Sequence, residues 1–300
     1  MSEKSFDRRT LLVSAGLSTM AGISAAASGK STGWVERLLK RRFVELSDAR
    51  REEILTELEE ACRVKYGRDD ITVTDTPALD GVEFAYGLDL SRCVGCRRCV
   101  YSCVHENNQS RDPQIQWIRV LEMKKDHGID FAESNVYYDP DEVPEPDSFY
   151  VPVACQQCRQ PACTKVCPVK ATWQEPDGIV VIDSDWCLGC RCCMSACPYG
   201  ARHFNWTEPR IATEEINPDT HIFGNRLRPN GVVEKCTFCI HRTRKGRYPA
   251  CVEICPVGAR KFGNLLDEAG EMRYLMREKR VFVLKEELNT RPRFYYFYAT

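Results

Sequence analysis

Sixteen of the chain's eighteen cysteines fall into four short groups, and few folds can accept so many thiols at such regular intervals. The most compact group is Cys187-Leu-Gly-Cys190-Arg-Cys-Cys193-Met-Ser-Ala-Cys197-Pro198. The others are Cys93-Val-Gly-Cys96-Arg-Arg-Cys99-Val-Tyr-Ser-Cys103, Cys155-Gln-Gln-Cys158-Arg-Gln-Pro-Ala-Cys163-Thr-Lys-Val-Cys167-Pro168, and Cys236-Thr-Phe-Cys239 with Cys251-Val-Glu-Ile-Cys255-Pro256. Only Cys62 and Cys192 stand outside the pattern. The step from Cys99 to Cys103, Cys163 to Cys167, Cys193 to Cys197 and Cys251 to Cys255 is one helical turn, and Pro168, Pro198 and Pro256 then halt the helix. In the first group Val104 takes the place of that proline. An internal repeat underlies the groups: Cys167-Pro-Val-Lys-Ala171, Cys197-Pro-Tyr-Gly-Ala201 and Cys255-Pro-Val-Gly-Ala259 align without a gap.

Thiols this crowded serve a metal or a disulfide framework. Cysteine content lies below the roughly 8–10% that marks disulfide scaffolds. Structural zinc takes two separated pairs per ion, which the fourth group alone could supply. Three thiols close together with a fourth instead suit an iron–sulfur cubane, where each iron accepts one thiolate, and the third group matches the bacterial ferredoxin run. Gly95 and Gly189 would let backbone amides approach cluster sulfur. A net charge of −1 supplies no positive field for nucleic acid. Arg92, Arg97, Arg98, Arg159, Lys165, Lys170, Arg191, Arg202, Lys235, Arg242, Arg244 and Lys245 lie near ligand cysteines and could offset thiolate charge, although each taken singly reads as a solvated surface residue.

Four domains are expected: a leader over 1–29, a helical arm and linker over 30–87, a cluster-binding body over 88–264 and a docking segment over 265–300. Asp7-Arg8-Arg9-Thr10-Leu11-Leu12, the apolar run to Ile23 and Ala25-Ala26-Ala27 look like a twin-arginine export leader, a route that carries folded cargo and so allows clusters to be inserted first. Trp34, Leu38 and Leu39 open one helix of the arm. A second runs from Ser47 as N-cap through Ile54, Leu55, Leu58, Ala61 and Cys62 to Gly67, which makes Cys62 a small core residue. No later apolar run is long enough to span a bilayer.

Within the body, Ile71–Thr74, Leu88–Leu90 and Arg202–Trp206 read as strands, and Thr172-Trp173 with Ile179–Ile182 reads as a hairpin about Pro176-Asp177-Gly178. Two insertions interrupt the repeat. One runs from Asn107 to Tyr150, with a strand-like Ile115–Val120 and an acidic Asp139–Asp147; the other runs from Thr207 to Val232, and both read as exposed loops available to partners. Val281–Leu284 and Arg293–Tyr298 are too aromatic for a free tail and should dock on the body or on another subunit. The expected fold class is α+β, with two tandem ferredoxin-like two-cluster modules.

Four groups in this order, behind a twin-arginine leader and ending in Cys-x-x-Cys-x11-Cys-x-x-x-Cys-Pro, resemble the iron–sulfur subunit of dimethyl sulfoxide reductase-type molybdenum oxidoreductases over roughly residues 88 to 298. Subunits of polysulfide, tetrathionate and formate enzymes and of alternative complex III are similar. The resemblance implies crossed pairing of the first group with the fourth and the second with the third. The four implied sets are site a (Cys93, Cys96, Cys99, Cys255), site b (Cys103, Cys236, Cys239, Cys251), site c (Cys155, Cys158, Cys163, Cys197) and site d (Cys167, Cys187, Cys190, Cys193). Each would hold one [4Fe-4S] cluster, with Cys192 a bystander packed beside site d. The implied role is electron transfer without catalysis, between a molybdopterin-bearing subunit and a membrane quinone-reactive subunit on the periplasmic face, with a c-type cytochrome as another possible partner. His105, His127, His203, His221 and His241 form no triad or metalloprotease motif and read as ordinary polar residues; His203 could weakly tune a nearby potential. Two alternatives remain at this level: a subunit of an alternative complex III-like quinol oxidoreductase, and a zinc-stabilised scaffold.

Overall fold

The computed structural model of the chain describes residues 47–299. The expected leader and the helix opening at Trp34 lie outside those residues. In chain order the elements are α1 (Asp48–Tyr66), β1 (Thr72–Thr74), β2 (Phe84–Asp89), α2 (Arg98–Glu106), β3 (Arg119–Lys124), β4 (Ser148–Val153), α3 (Ala162–Lys165), β5 (Thr172–Gln174) and β6 (Val180–Ile182). There follow α4 (Cys192–Ser195), β7 (His203–Phe204), β8 (Asp219–His221), β9 (Val233–Glu234), α5 (Ile240–Thr243), α6 (Ala250–Glu253), β10 (Arg260–Asn264), α7 (Glu271–Glu278) and β11 (Phe294–Phe297). Short helices and small sheets make the fold α+β. No helix among the described residues is long and apolar enough to cross a membrane.

The chain separates into two units, 1–54 and 55–300, and of the first only the opening turns of α1 are described. Ser47 Oγ accepts the Arg50 amide at 3.3 Å, and Gly67, at φ +64°, stops α1. Further along the helix, within the second unit, Cys62 packs with Ile71, Ile216 and Leu227 as a small apolar cluster.

The largest sheet has the order β10-β2-β11, with β10 antiparallel and β11 parallel to β2. β2 is buried on both faces, which is why it shows no polar alternation and why only its last residues stand out as a strand. One face packs Phe84, Tyr86 and Leu88 into the main core; the other sets Ala85 against Met272, Leu275, Tyr295 and Phe297, bringing α7 beneath the sheet. The aromatic C-terminal stretch is therefore a core strand, with Phe294 stacked 4.4 Å from Tyr86.

Both insertions depart from expectation. The strand placed at Ile115–Val120 begins instead at Arg119 and continues to Lys124, paired with β4. Gln109 Oε1 accepts the Trp117 amide at 2.9 Å and holds 115–118 as a buried loop, which an unbroken apolar run cannot reveal. The second insertion is no exposed decoration: β8 pairs with β1, and the side chains of Asn225, Arg226 and Arg228 are buried. Asn225 Nδ2 donates to the carbonyls of Glu106 and Asp219, so the segment ties α2 to the strand pair.

Candidate metal centres

Each cysteine group is a tight loop followed by a helical turn. The third residue of the first Cys-x-x-Cys in each group has a left-handed backbone: Gly95 at φ +77°, Gly189 at +70°, Gln157 at +44° and Phe238 at +56°. The glycines have a further reason to be bare. A Cβ on Gly95 would stand 2.5 Å from the Tyr150 ring, and one on Gly189 only 2.1 Å from the Gly231 carbonyl oxygen. After the helical turn, the Cys-Pro repeat closes with amides of Lys170, Gly200 and Gly258 donating to the carbonyls of Cys167, Cys197 and Cys255 at 3.2–3.3 Å. Where Val104 replaces proline, α2 runs on to Glu106.

Helix α2 packs against α6, and α3 against α4, so the first group meets the fourth and the second meets the third. Cys93, Cys96, Cys99 and Cys255 line one cavity; Cys155, Cys158, Cys163 and Cys197 line another; Cys167, Cys187, Cys190 and Cys193 line a third. Cys103, Cys236, Cys239 and Cys251 converge too: Asn107 Nδ2 lies 3.6 Å from Cys103 Sγ and 3.5 Å from Cys239 Sγ, and Cys103 feels the charges of the other three. Burial, reinforced by neighbouring thiols, pushes the Cys158 and Cys236 thiols up to about 12, and burial pushes Cys93 up to about 11. Four thiolates can then share a cavity only with a cationic centre among them. Among the described residues no three Cys, His, Asp or Glu side chains converge on a single ion. Four thiols per site, three from one group and the last from its partner, suit a cubane in which each of four irons takes one thiolate.

A family model described as a 4Fe-4S dicluster domain matches residues 146–214 and 224–265. A Halobacterium salinarum protein that bears the name of a dimethyl sulfoxide reductase iron–sulfur subunit is 45% identical over 214 residues, 70% of this chain and 78% of that one. An iron–sulfur subunit of the Hdr-like menaquinol oxidoreductase of Archaeoglobus fulgidus is 38% identical, covering 71% and 82% of the two chains. A selenate reductase subunit of Mesobacillus selenatarsenatis is 38% identical, covering 73% of each. The chain belongs to the dimethyl sulfoxide reductase-type iron–sulfur subunits. It is an electron-transfer subunit of an oxidoreductase complex rather than the catalytic one, and its cofactors are [4Fe-4S] clusters.

Around its thiols this iron–sulfur subunit departs from the surface-cation expectation. Arg202, Lys235, Arg242 and Arg244 are all buried. Arg202 Nη2 lies 2.9 Å from Cys163 Sγ. Arg242 pairs with Glu106 at 2.8 Å and Arg244 with Asp177 at 2.8 Å, which cross-link loops around the fourth group. His221 and His241 are likewise buried, and His241 Nε2 lies 2.7 Å from Glu106. Sequence reasoning misses Arg260, whose Nη2 lies 3.0 Å from Cys99 Sγ, although it follows Cys-Pro-Val-Gly-Ala just as Arg202 follows Cys-Pro-Tyr-Gly-Ala. Gln109 Nε2, 3.2 Å from Cys103 Sγ, and Asn107 carry no sequence signal at all. Cys192 is exposed, its thiol turned to the Cys190 carbonyl and not packed beside the cavity.

Proposed function

We propose that the sixteen cysteines hold four [4Fe-4S] clusters in the sets a, b, c and d, as two tandem two-cluster modules, one joining the first and fourth groups and one the second and third. The observation that carries this reading is the composition of the cavities: three cysteines of one group with the last cysteine of its partner group. When bound, such clusters supply one-electron centres whose potentials respond to hydrogen bonds, local charge and burial. The chain's own contribution is to seat them in order, a-b-c-d.

The partners follow from the family. A molybdopterin-bearing catalytic subunit at one end and a membrane quinone-reactive subunit at the other are supported by relatives named for a selenate reductase and a menaquinol oxidoreductase. Site d is the open end: Cys190 is exposed, and Trp186, Leu188 and Trp206 stand out into solvent around it. Such a patch beside a redox centre suits a partner that receives or delivers electrons there. The twin-arginine pattern at Arg8-Arg9 supports export to the periplasmic face, and the division at 29, 87 and 264 remains the organisation we favour.

Anaerobic purification tests the core of this. Iron and acid-labile sulfide should be equimolar and fill four clusters per chain, with visible absorption bleached by dithionite. Zinc without sulfide would overturn the reading, and half the expected iron would leave only two sites.

A further inference from the structure

Three buried cations occupy the three junctions of the a-b-c-d series. Arg260, 4% exposed, reaches Cys99 Sγ of site a at 3.0 Å through Nη2. Its Nη1 donates to the Tyr86 hydroxyl at 2.7 Å, and that hydroxyl lies 3.5 Å from Cys251 Sγ of site b. Lys235, 1% exposed, donates from Nζ to the carbonyl of Cys236, a site-b cysteine, at 2.9 Å and also to the carbonyl of Val180, which lines cavity c. Arg202, 4% exposed, reaches Cys163 Sγ of site c at 2.9 Å, lines both cavity c and cavity d, and keeps a buried Nη1 with no partner. The hydrogen bonds of these three go to thiols, hydroxyls and carbonyls, and among the described residues none pairs with a carboxylate. The buried cations nearby do: Arg228 pairs with Glu234, Arg242 with Glu106 and Arg244 with Asp177.

A buried cation without a carboxylate is costly unless negative charge lies opposite. Thiolates supply it on both sides of each junction, and an electron arriving at either neighbour adds to it. We propose that Arg260, Lys235 and Arg202 are shared junction cations, each raising the potentials of the two centres it separates, so that neighbouring potentials move together and the path between them stays level. Each hop oxidises one centre and reduces the next by one electron; the cation takes no electron and gives no proton. The chain repeat supports design over accident, since Arg202 and Arg260 hold equivalent positions in the two modules while Lys235 stands where the modules meet.

This rests on the four-site reading, which iron and sulfide counts on the unaltered complex test separately. Potentiometric titration followed by electron paramagnetic resonance, on the whole complex under anaerobic conditions, then tests the junctions. Lys235→Met should lower two potentials, those of b and c, and leave a and d in place; Arg260→Met should lower a and b, and Arg202→Met c and d. Signals are assigned with Cys190→Ser, which removes the native site d. The charge-keeping Lys235→Arg and Arg202→Lys should hold potentials near their original values, which a purely structural role would not require. A shift confined to one centre, a shift of all four, or none at all overturns the proposal. If a neutral variant loses clusters instead, loss limited to the two flanking sites and restored by the charge-keeping variant supports it, and loss elsewhere overturns it.

Discussion

Sites b and d each take three thiols from one group and a fourth from its partner, in opposite surroundings. At b, Cys103, Cys239 and Cys251 are buried, and two side-chain amides, from Asn107 and Gln109, point at sulfur. At d, Cys190 is exposed, the cavity is ringed by Leu188 and Arg191, and Arg191 lies over the Trp206 ring at 4.7 Å. The shared set of three thiols plus one suits the same kind of group at both, while the surroundings suit b to a sealed relay and d to the terminal contact we propose. Amide donors stabilise the more negative, reduced state, so b should owe its potential to the protein and d should owe part of its own to solvent or partner.

The strongest test of that contrast removes a ligand from each. Cys239→Ala strips a buried site and should cost more than about 4 kcal/mol, seen as a collapse of the thermal transition, whereas Cys190→Ser should cost under about 2 kcal/mol and keep the fold while losing native d signals. Equal losses would erase the distinction. Next in size is Gly189→Ala at site d. Its Cβ meets a carbonyl at 2.1 Å with φ at +70°, and about 3 kcal/mol is expected in denaturant unfolding. The matching residue at b, Phe238, already bears a side chain in that conformation, so Phe238→Ala should show only lost packing against Tyr86 and Phe262.

Acid should act on both halves through buried histidines. Burial lowers His221, in the strand packed against α5 of the fourth group, and His203, in the strand that follows the third group, from 6.5 to about 4. The unfolded chain then takes up these protons near pH 6.5 and the folded chain only near 4. Stability is full above 6.5 and falls as pH drops through that window, by about 2 kcal/mol per histidine at pH 5. His221→Gln should remove about half of the slope between pH 7.5 and 5, and an unchanged slope would exclude it as a source. Smaller again, Gln109→Leu should lower the potential of b alone by on the order of 50 mV, about 1 kcal/mol for a one-electron couple, leaving d untouched in the same titration. Last, Arg191→Ala should change stability by only about 0.5 kcal/mol, as an exposed cation–π contact would, yet weaken assembly with the partner at d if that surface is the port.

Much of this was legible in the chain. The helical turns, their proline stops and the hairpin about Gly178 follow from residues within a few positions of one another. The strand expected at Ile115–Val120 shows the opposite case: Trp117 and Ile118 are as buried as strand residues, and only Gln109, eight positions earlier, decides that the segment turns. Lys235 and Arg242 read as surface residues because charge predicts exposure, and only a partner distant in sequence reverses that. For Arg242 the partner is Glu106; for Lys235 it is the carbonyl of Val180.

Thiol number and spacing by themselves marked these cysteines as metal ligands and favoured iron–sulfur clusters over zinc, since coordination chemistry is local and a cysteine keeps its ligand character wherever the fold puts it. Tertiary structure alone decided which groups face one another, which thiols are sealed from water, and where the unpaired cations stand. Those properties depend on distances between segments that are separate in sequence, some by more than a hundred residues, and local spacing carries no record of such distances.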